Sequence, residues 1–240
     1  DPLGPDNLLI YATGPLTGQN VAGGGRHMMG ARSPVTGGFG GSECGGFFGA
    51  ELKRAGWDLI LFEGVSPRPV YLWIEDAHVE LRSAEHLWGL ETGVVQARIR
   101  EEHGDKAIRV SQCGPAGERL VRISNVIHDA TRAAGRTGLG AVMGSKRLRA
   151  VAVRGHQRPT ASDPERVREM ARWFREHYME TSSAAYATGG TPRMVRVNQQ
   201  LGGLPTRNFQ EGVFEGWESL AVENMEEKII VGRDTCYGCP

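Results

Sequence analysis

Cysteine is scarce in this chain. Its 240 residues hold four: Cys44, Cys113, Cys236 and Cys239. They are too few and too unevenly spread to staple a secreted fold with disulfides, so a reducing cytoplasm is the expected setting. Net charge is lacking as well. The 28 basic residues balance 28 acidic ones, so no bulk field draws the chain to nucleic acid or anionic lipid. No apolar run approaches the roughly 18–20 residues that a membrane span needs. The seven histidines show no metal-ligand spacing, and there is no internal repeat. An initiator methionine is also lacking. The chain begins at Asp1 and stops one residue after a cysteine pair. The expectation is a piece cut at both ends, whose targeting segment, if any, is not legible.

Glycine is plentiful, with 34 residues, about twice the usual ~7%. One cluster lies in 14–49, and a second comprises Gly135, Gly138, Gly140 and Gly144. Apolar residues are interleaved with both (Met28-Met29, Phe47-Phe48). That argues against a flexible linker and for tight turns, or for backbone that approaches a ligand closely.

Patterning predicts strands over 7–12, 26–33, 57–63, 70–75, 79–82, 107–113, 120–127 and 149–153. Pro34 ends the second. Asp76-Ala77 joins 70–75 to 79–82 as a hairpin. Helices are predicted over 47–55, 91–103, 139–146, 165–178, 192–201 and 220–230. Gly56 stops the first, and Val94, Val95 and Ile99 share one face of the second. Ser162-Asp163-Pro164-Glu165 is a helix start, with a cap candidate followed by proline in the first turn. The character changes near residue 155, where a polar, proline-containing stretch begins. The expected fold is therefore α+β over 1–155, followed by the beginning of a mostly helical domain over 156–240.

The closing residues Cys236-Tyr237-Gly238-Cys239-Pro240 carry the sharpest chemistry. Two cysteines at this spacing can place two thiolates on one metal centre, and proline often follows a cluster cysteine. Two thiolates complete neither a four-thiolate cluster nor a tetrahedral zinc site, so further ligands must come from elsewhere.

The stretch Arg132 to Lys146 puts Arg132 and Arg136 beside a glycine-rich turn that leads into a helix. Backbone N–H groups and guanidinium donors there suit phosphate. The order Gly144-Ser145-Lys146 fails the P-loop pattern. Gly138, Gly140 and Gly144 are spaced one residue too widely for a dinucleotide fingerprint. The competing reading is a glycine-rich helix packed closely on a sheet, with both arginines solvated. Arg26 follows Gly23-Gly24-Gly25 and invites the same two readings, anion contact or surface ion pair. Cys44 reads as an inert small residue in a turn and Cys113 as core. His27 and His128 sit beside the two loops without a predicted role.

Taken together, these segments resemble the aldehyde ferredoxin oxidoreductases, tungsten- or molybdenum-pterin enzymes. The matching stretches are 12–18 (ATGPLTG), 33–37 (SPVTG), 45–53 (GGFFGAELK), 114–118 (GPAGE), 132–146 (RAAGRTGLGAVMGSK), 204–210 (LPTRNFQ) and 236–240 (CYGCP). The resemblance implies a β-rich pterin-binding saddle of two sheets with flanking helices, lacking its first strands. The start of a helical domain follows and ends inside a [4Fe–4S] cysteine motif. It implies a tungsten (or molybdenum) bis-pterin, a [4Fe–4S] cluster and a magnesium ion.

By that pattern Cys236 and Cys239 would be cluster ligands, and Arg26 would lie between pterin and cluster. Glu43, Gly45 and Gly46 would run under a pterin. Arg132, Ala133, Gly135 and Arg136 would bind phosphate. Backbone carbonyls of Glu43 and Ala133 would hold magnesium. The implied reaction oxidises aldehydes to carboxylic acids and passes electrons to ferredoxin or an electron-transfer subunit. The catalytic residues are expected in a missing C-terminal part, so the piece alone is expected to be inactive. A homodimer is compatible with the resemblance. Position 43 departs from the expected asparagine, Thr137 from a small residue or glycine, and Cys44 from serine. The alternatives are a carboxylate or aromatic-thioester reductase on the same scaffold, a nucleotide-dependent dehydrogenase, and a non-catalytic zinc or iron–sulfur module.

Overall fold

The computed structural model describes residues 1–232 and 234–239. The chain forms two compact units, residues 1–167 with 236–239, and residues 168–235. The proline after Cys239 lies outside the described residues.

In the first unit, β1 (Leu9–Thr13), β2 (His27–Arg32), β3 (Phe39–Cys44) and β4 (Leu59–Phe62) make an antiparallel sheet in the order β3-β2-β1-β4. A second sheet holds β5 (Val70–Glu75), β6 (His78–Ser83), β7 (Arg109–Cys113), β8 (Val126–His128), β9 (Arg132–Ala134) and β10 (Leu148–Arg154). Its order is β6-β5-β10-β7-β8-β9. Only β5 and β10 run parallel; the other neighbours are antiparallel. Helices α1 (Phe48–Arg54), α2 (Thr92–His103), α3 (Pro115–Glu118) and α4 (Leu139–Ser145) flank the sheets. The fold is α+β, as the sequence predicts.

Strand alternation explains the layering. Side chains on a strand point to opposite faces in turn. On β5, Leu72 and Ile74 join one core while Tyr71 and Trp73 join another. On β10, Val151 and Val153 face the first core and Ala150 and Ala152 the second. The centre of the second sheet, at β5 and β10, is thus buried on both faces, which explains the nearly continuous apolar run of β10. Between the sheets lie Leu9, Tyr11 and Met29 from the first sheet, Phe48 and Leu52 from α1, and Leu139, Val142 and Met143 from α4. Val95 and Ile99 of α2 close the second core. Each such buried aliphatic side chain contributes about 1.5–3 kcal/mol. The other face of the first sheet exposes Met28, Phe39, Leu59 and Leu61.

Three differences from the predicted elements have physical causes. The strand predicted over 120–127 survives only as β8. Leu120 is left-handed (φ 57), and the N–H groups of Leu120 and Val121 turn back to Gly117 O and Ala116 O. β3 escapes prediction because Gly40-Gly41 interrupts it. β9 escapes because three residues embedded in a glycine-rich loop carry no alternation.

In the second unit, α5 (Pro164–His177) continues from the first and is followed by α6 (Ala184–Gly189), α7 (Met194–Gln200), α8 (Trp217–Leu220) and α9 (Val222–Lys228). The helix predicted over 220–230 is divided at Ala221, whose ψ is 148. Pro192, Val195, Leu220, Met225 and Ile229 line an apolar cleft. Among the described residues, no helix is long and apolar enough to cross a membrane.

Candidate functional site

Two glycine turns and the cysteine segment meet at one end of the first unit. Thr17 starts the arrangement, its hydroxyl donating to Arg26 O at 2.7 Å. Arg26 directly precedes β2, whose register pairs His27 with Cys44 and Met28 with Glu43. This pairing brings Arg26 Nη1 within 3.7 Å of Glu43 Oε2, with the two side chains 58% and 61% exposed. An ion pair so exposed contributes little stability. It does offset the positive charge of Arg26 locally.

After β3 the chain turns through Gly45-Gly46 into α1. Both glycines are needed for clearance. A Cβ on Gly45 would sit 2.9 Å from Cys236 Sγ. A Cβ on Gly46 would sit 3.1 Å from Arg132 Cγ, and Gly46 is also left-handed (φ +91). Across the turn, a Cβ on Gly25 would sit 2.6 Å from Gly46 O and 2.8 Å from Tyr237 Cβ. The cysteine segment thus rests on bare backbone. It is tied there by Tyr237 N–H to Gly46 O at 3.2 Å and Gly23 N–H to Gly238 O at 3.2 Å. Tyr237 Oη adds a bond to Gly18 O at 2.9 Å. Cys239 N–H turns back to Cys236 O at 3.1 Å, and Cys239 is exposed.

Arg132, at the start of β9, donates from Nε to Cys236 Sγ at 3.2 Å. Arg136 approaches through its backbone, donating to Ser42 Oγ on β3 at 3.3 Å. Ala133 pairs with Ile127 in the sheet, and Gly135 follows β9 directly. Thr137 is left-handed (φ 64). Its carbonyl accepts from Ser33 Oγ at 2.9 Å, and Gly40 leaves room for its side chain.

Among the predicted site residues, Arg26, Glu43, Gly45, Gly46, Arg132 and Cys236 are therefore neighbours. Ala133, Gly135 and Arg136 lie on the adjoining strand and turn. Sequence reasoning missed Ser42 and Tyr237 as supports, although both lie inside the segments that it singled out.

Beneath the turns the environment is dry. Burial pushes the Cys44 thiol up to about 12, opposed only in part by Arg26 and Arg132. Cys44 therefore stays protonated at neutral pH. Burial likewise pushes Cys113 up to about 12, in keeping with a core residue. His27 is lowered to about 4 by burial, and His128 falls well below its ordinary value for the same reason. Among the described residues, no three His, Cys, Asp or Glu side chains converge to hold a metal ion.

Arg26 and Arg132 thus flank a floor of side-chain-free backbone at Gly45 and Gly46, with the Cys236 thiol beside it. The scaffold falls within one known class. The family model described as aldehyde ferredoxin oxidoreductase, N-terminal domain, matches residues 1–155, and that for domains 2 and 3 matches residues 165–240. The chain belongs to the aldehyde ferredoxin oxidoreductase family, a family of enzymes.

It is 44% identical over its whole length to the tungsten-containing aldehyde ferredoxin oxidoreductases of Pyrococcus abyssi and Thermococcus kodakarensis. It spans 40% of the length of each of these curated relatives. Among solved structures, it is similar to the active site complex BamBC of benzoyl coenzyme A reductase in complex with 1,5-dienoyl-CoA. That match has a TM-score of 0.83 and 31% identity, and covers 100% of this chain and 39% of the other.

Proposed function

We propose that this chain is the metallopterin-anchoring part of an oxidoreductase that oxidises aldehydes to carboxylic acids. The observation that carries the reading is the convergence of Arg26, Gly45, Gly46 and Arg132 on Cys236. The donor set fits the group. Guanidinium groups suit phosphates and dithiolenes, side-chain-free backbone admits a flat ring system, and paired cysteine sulfurs suit a cluster.

In this reading Arg26, Gly45 and Gly46 hold a tungsten (or molybdenum) bis-pterin. Arg132, Ala133, Gly135 and Arg136 take its phosphates, and the carbonyls of Glu43 and Ala133 hold magnesium. Cys236 and Cys239 supply two ligands of a [4Fe–4S] cluster. When bound, the metallopterin supplies two-electron oxidation of the aldehyde. The chain's own contribution is to neutralise anionic charge, exclude water beneath the turns and seat the thiols nearby. The metallopterin-binding domain is 1–155, and 156–240 begins a helical domain. A ferredoxin or an electron-transfer subunit accepts the electrons, in the cytoplasm. The acid–base residues lie outside this chain, which alone is inactive.

A second reading is reductive chemistry on the same scaffold, such as aromatic-thioester reduction. The likeness to the benzoyl coenzyme A reductase complex favours it. The test is the full-length protein purified without oxygen. Tungsten or molybdenum, pterin fluorescence after acid release and aldehyde-dependent viologen reduction are expected. An aromatic thioester accepting electrons while aldehydes give no turnover selects the second reading. Zinc with no pterin removes both.

A further inference from the structure

We propose that Arg132 sets the reduction potential of the cluster held at Cys236, through its Nε hydrogen bond to the ligating sulfur. This goes beyond phosphate anchoring, and it rests on the reading of Cys236 as a cluster ligand. The contact is the 3.2 Å approach of Arg132 Nε to Cys236 Sγ.

Both partners are held in place. The Arg132 backbone is fixed in β9 opposite His128, and its Nη1 donates to Thr131 O at 3.1 Å. Gly46 leaves the space that the arginine stem occupies, and Gly45 leaves the space that the sulfur occupies. The peptide after Cys236 is bonded to Gly46 O. The same glycine pair therefore shapes the seats of donor and acceptor.

The consequence follows from charge. A ligating cysteine sulfur carries negative charge, and one-electron reduction places more negative charge on the cluster. Hydrogen bonds to the sulfurs are one of the factors that set such potentials. A charge-assisted donor is stronger than a neutral one, and it stabilises the reduced state more than the oxidised state. Arg132 therefore raises the potential. Each electron arrives from aldehyde oxidation and leaves to a one-electron acceptor of the ferredoxin class. The guanidinium keeps its proton throughout.

The experiment is an electron-paramagnetic-resonance titration of the full-length protein, purified without oxygen, with dithionite as reductant. Arg132→Gln is expected to shift the one-electron equilibrium about tenfold toward the oxidised cluster, a fall of about 59 mV. Arg132→Lys keeps the charge but loses Nε, and is expected to fall by less. Arg136→Gln removes an equal charge from the adjoining turn and is expected to move the potential least. Wild-type protein without iron and sulfide in cluster proportion overturns the ligand reading, and this inference with it. A cluster with a wild-type potential in whichever Arg132 variants retain it overturns this inference and leaves the ligand reading standing.

Discussion

His27 and His128 meet edge to face beneath the candidate site, with ring centroids 4.6 Å apart. Both are buried, and among the described residues their four ring nitrogens have no hydrogen-bond partner. Burial lowers His27 to about 4 and His128 well below its ordinary value, His27 adding to the effect on His128. In the folded chain both are neutral at pH 7, whereas in the unfolded chain each protonates near 6.5. Below 6.5 the unfolded state therefore binds more protons, and stability falls with falling pH. For His27 the loss between about pH 6.5 and pH 4 amounts to about 3 kcal/mol. Urea unfolding of the chain is expected to be flat between about pH 7 and 8, below the range where the buried Cys44 and Cys113 thiols disfavour folding, and to weaken steadily on acidification through that window. His128→Phe is expected to reduce the slope. An unchanged slope in that variant would show that other groups cause it.

Gly45 tests the seat of the cysteine segment. Its backbone is not left-handed, so alanine fits the local conformation, but the new Cβ would lie 2.9 Å from Cys236 Sγ. The sulfur must then move. In the full-length protein, Gly45→Ala is expected to lose most of its iron while its circular dichroism stays that of the wild type. Gly37→Ala is the control. Gly37 is left-handed (φ +77) with open space around it, so alanine there costs stability but not iron. Full iron retention in Gly45→Ala would show that Cys236 does not need that space.

Much of this was legible before the fold was known, and the exceptions are instructive. The hairpin turn at Asp76 was readable from its residue types, and the structure makes it left-handed there (φ 50). The two arginine-flanked glycine turns were readable because glycine among apolar residues marks close approach. What each glycine approaches was not readable. Gly138, Gly140 and Gly144 face the backbone of Arg122, Asn125 and Gly117, where a Cβ would lie within 1.9, 2.4 and 2.0 Å of a carbonyl oxygen. They serve the packing of α4 against the 117–125 segment, so for these three the packing reading is the better one. Long-range pairing brings Arg132 to Cys236 across 104 positions: the β8–β9 register seats the arginine, and backbone bonds to Gly46 and Gly23 seat the cysteine segment.

Thr137 shows a departure whose cause the structure supplies. Its φ of 64 lies in the region that favours glycine, the residue type expected there. A β-branched residue is strained in that region, at roughly 1–2 kcal/mol. Thr137→Gly removes this strain but adds unfolded-state freedom of about 0.5–1 kcal/mol. The net expectation is a gain of about 0.5 kcal/mol, read as a higher urea midpoint with an unchanged slope. A lower midpoint would mean that the contact of the Thr137 side chain with Gly40 outweighs the strain.

Among the described residues Arg149 is the largest fully buried side chain, and the side chain of its partner Glu118 is buried beside it, with Nε 2.8 Å from Oε1. The guanidinium also donates to Gln112 Oε1 at 3.1 Å, to Leu90 O at 2.9 Å and to Cys113 O. It thereby joins α3, β7 and the segment before α2. Removing one partner of a buried pair strands the other. Arg149→Ala is accordingly expected to cost about 3–5 kcal/mol, because Glu118 loses its counter-charge and several carbonyls lose their donor. Replacing both members with apolar residues of similar volume, as in Arg149→Met with Glu118→Met, should recover part of that loss. The recovery is incomplete because the carbonyls of Leu90 and Cys113 remain without this donor. Chemical unfolding of the two variants side by side decides the point. A double variant no more stable than Arg149→Ala would mean that the backbone bonds, rather than the stranded carboxylate, carry the cost.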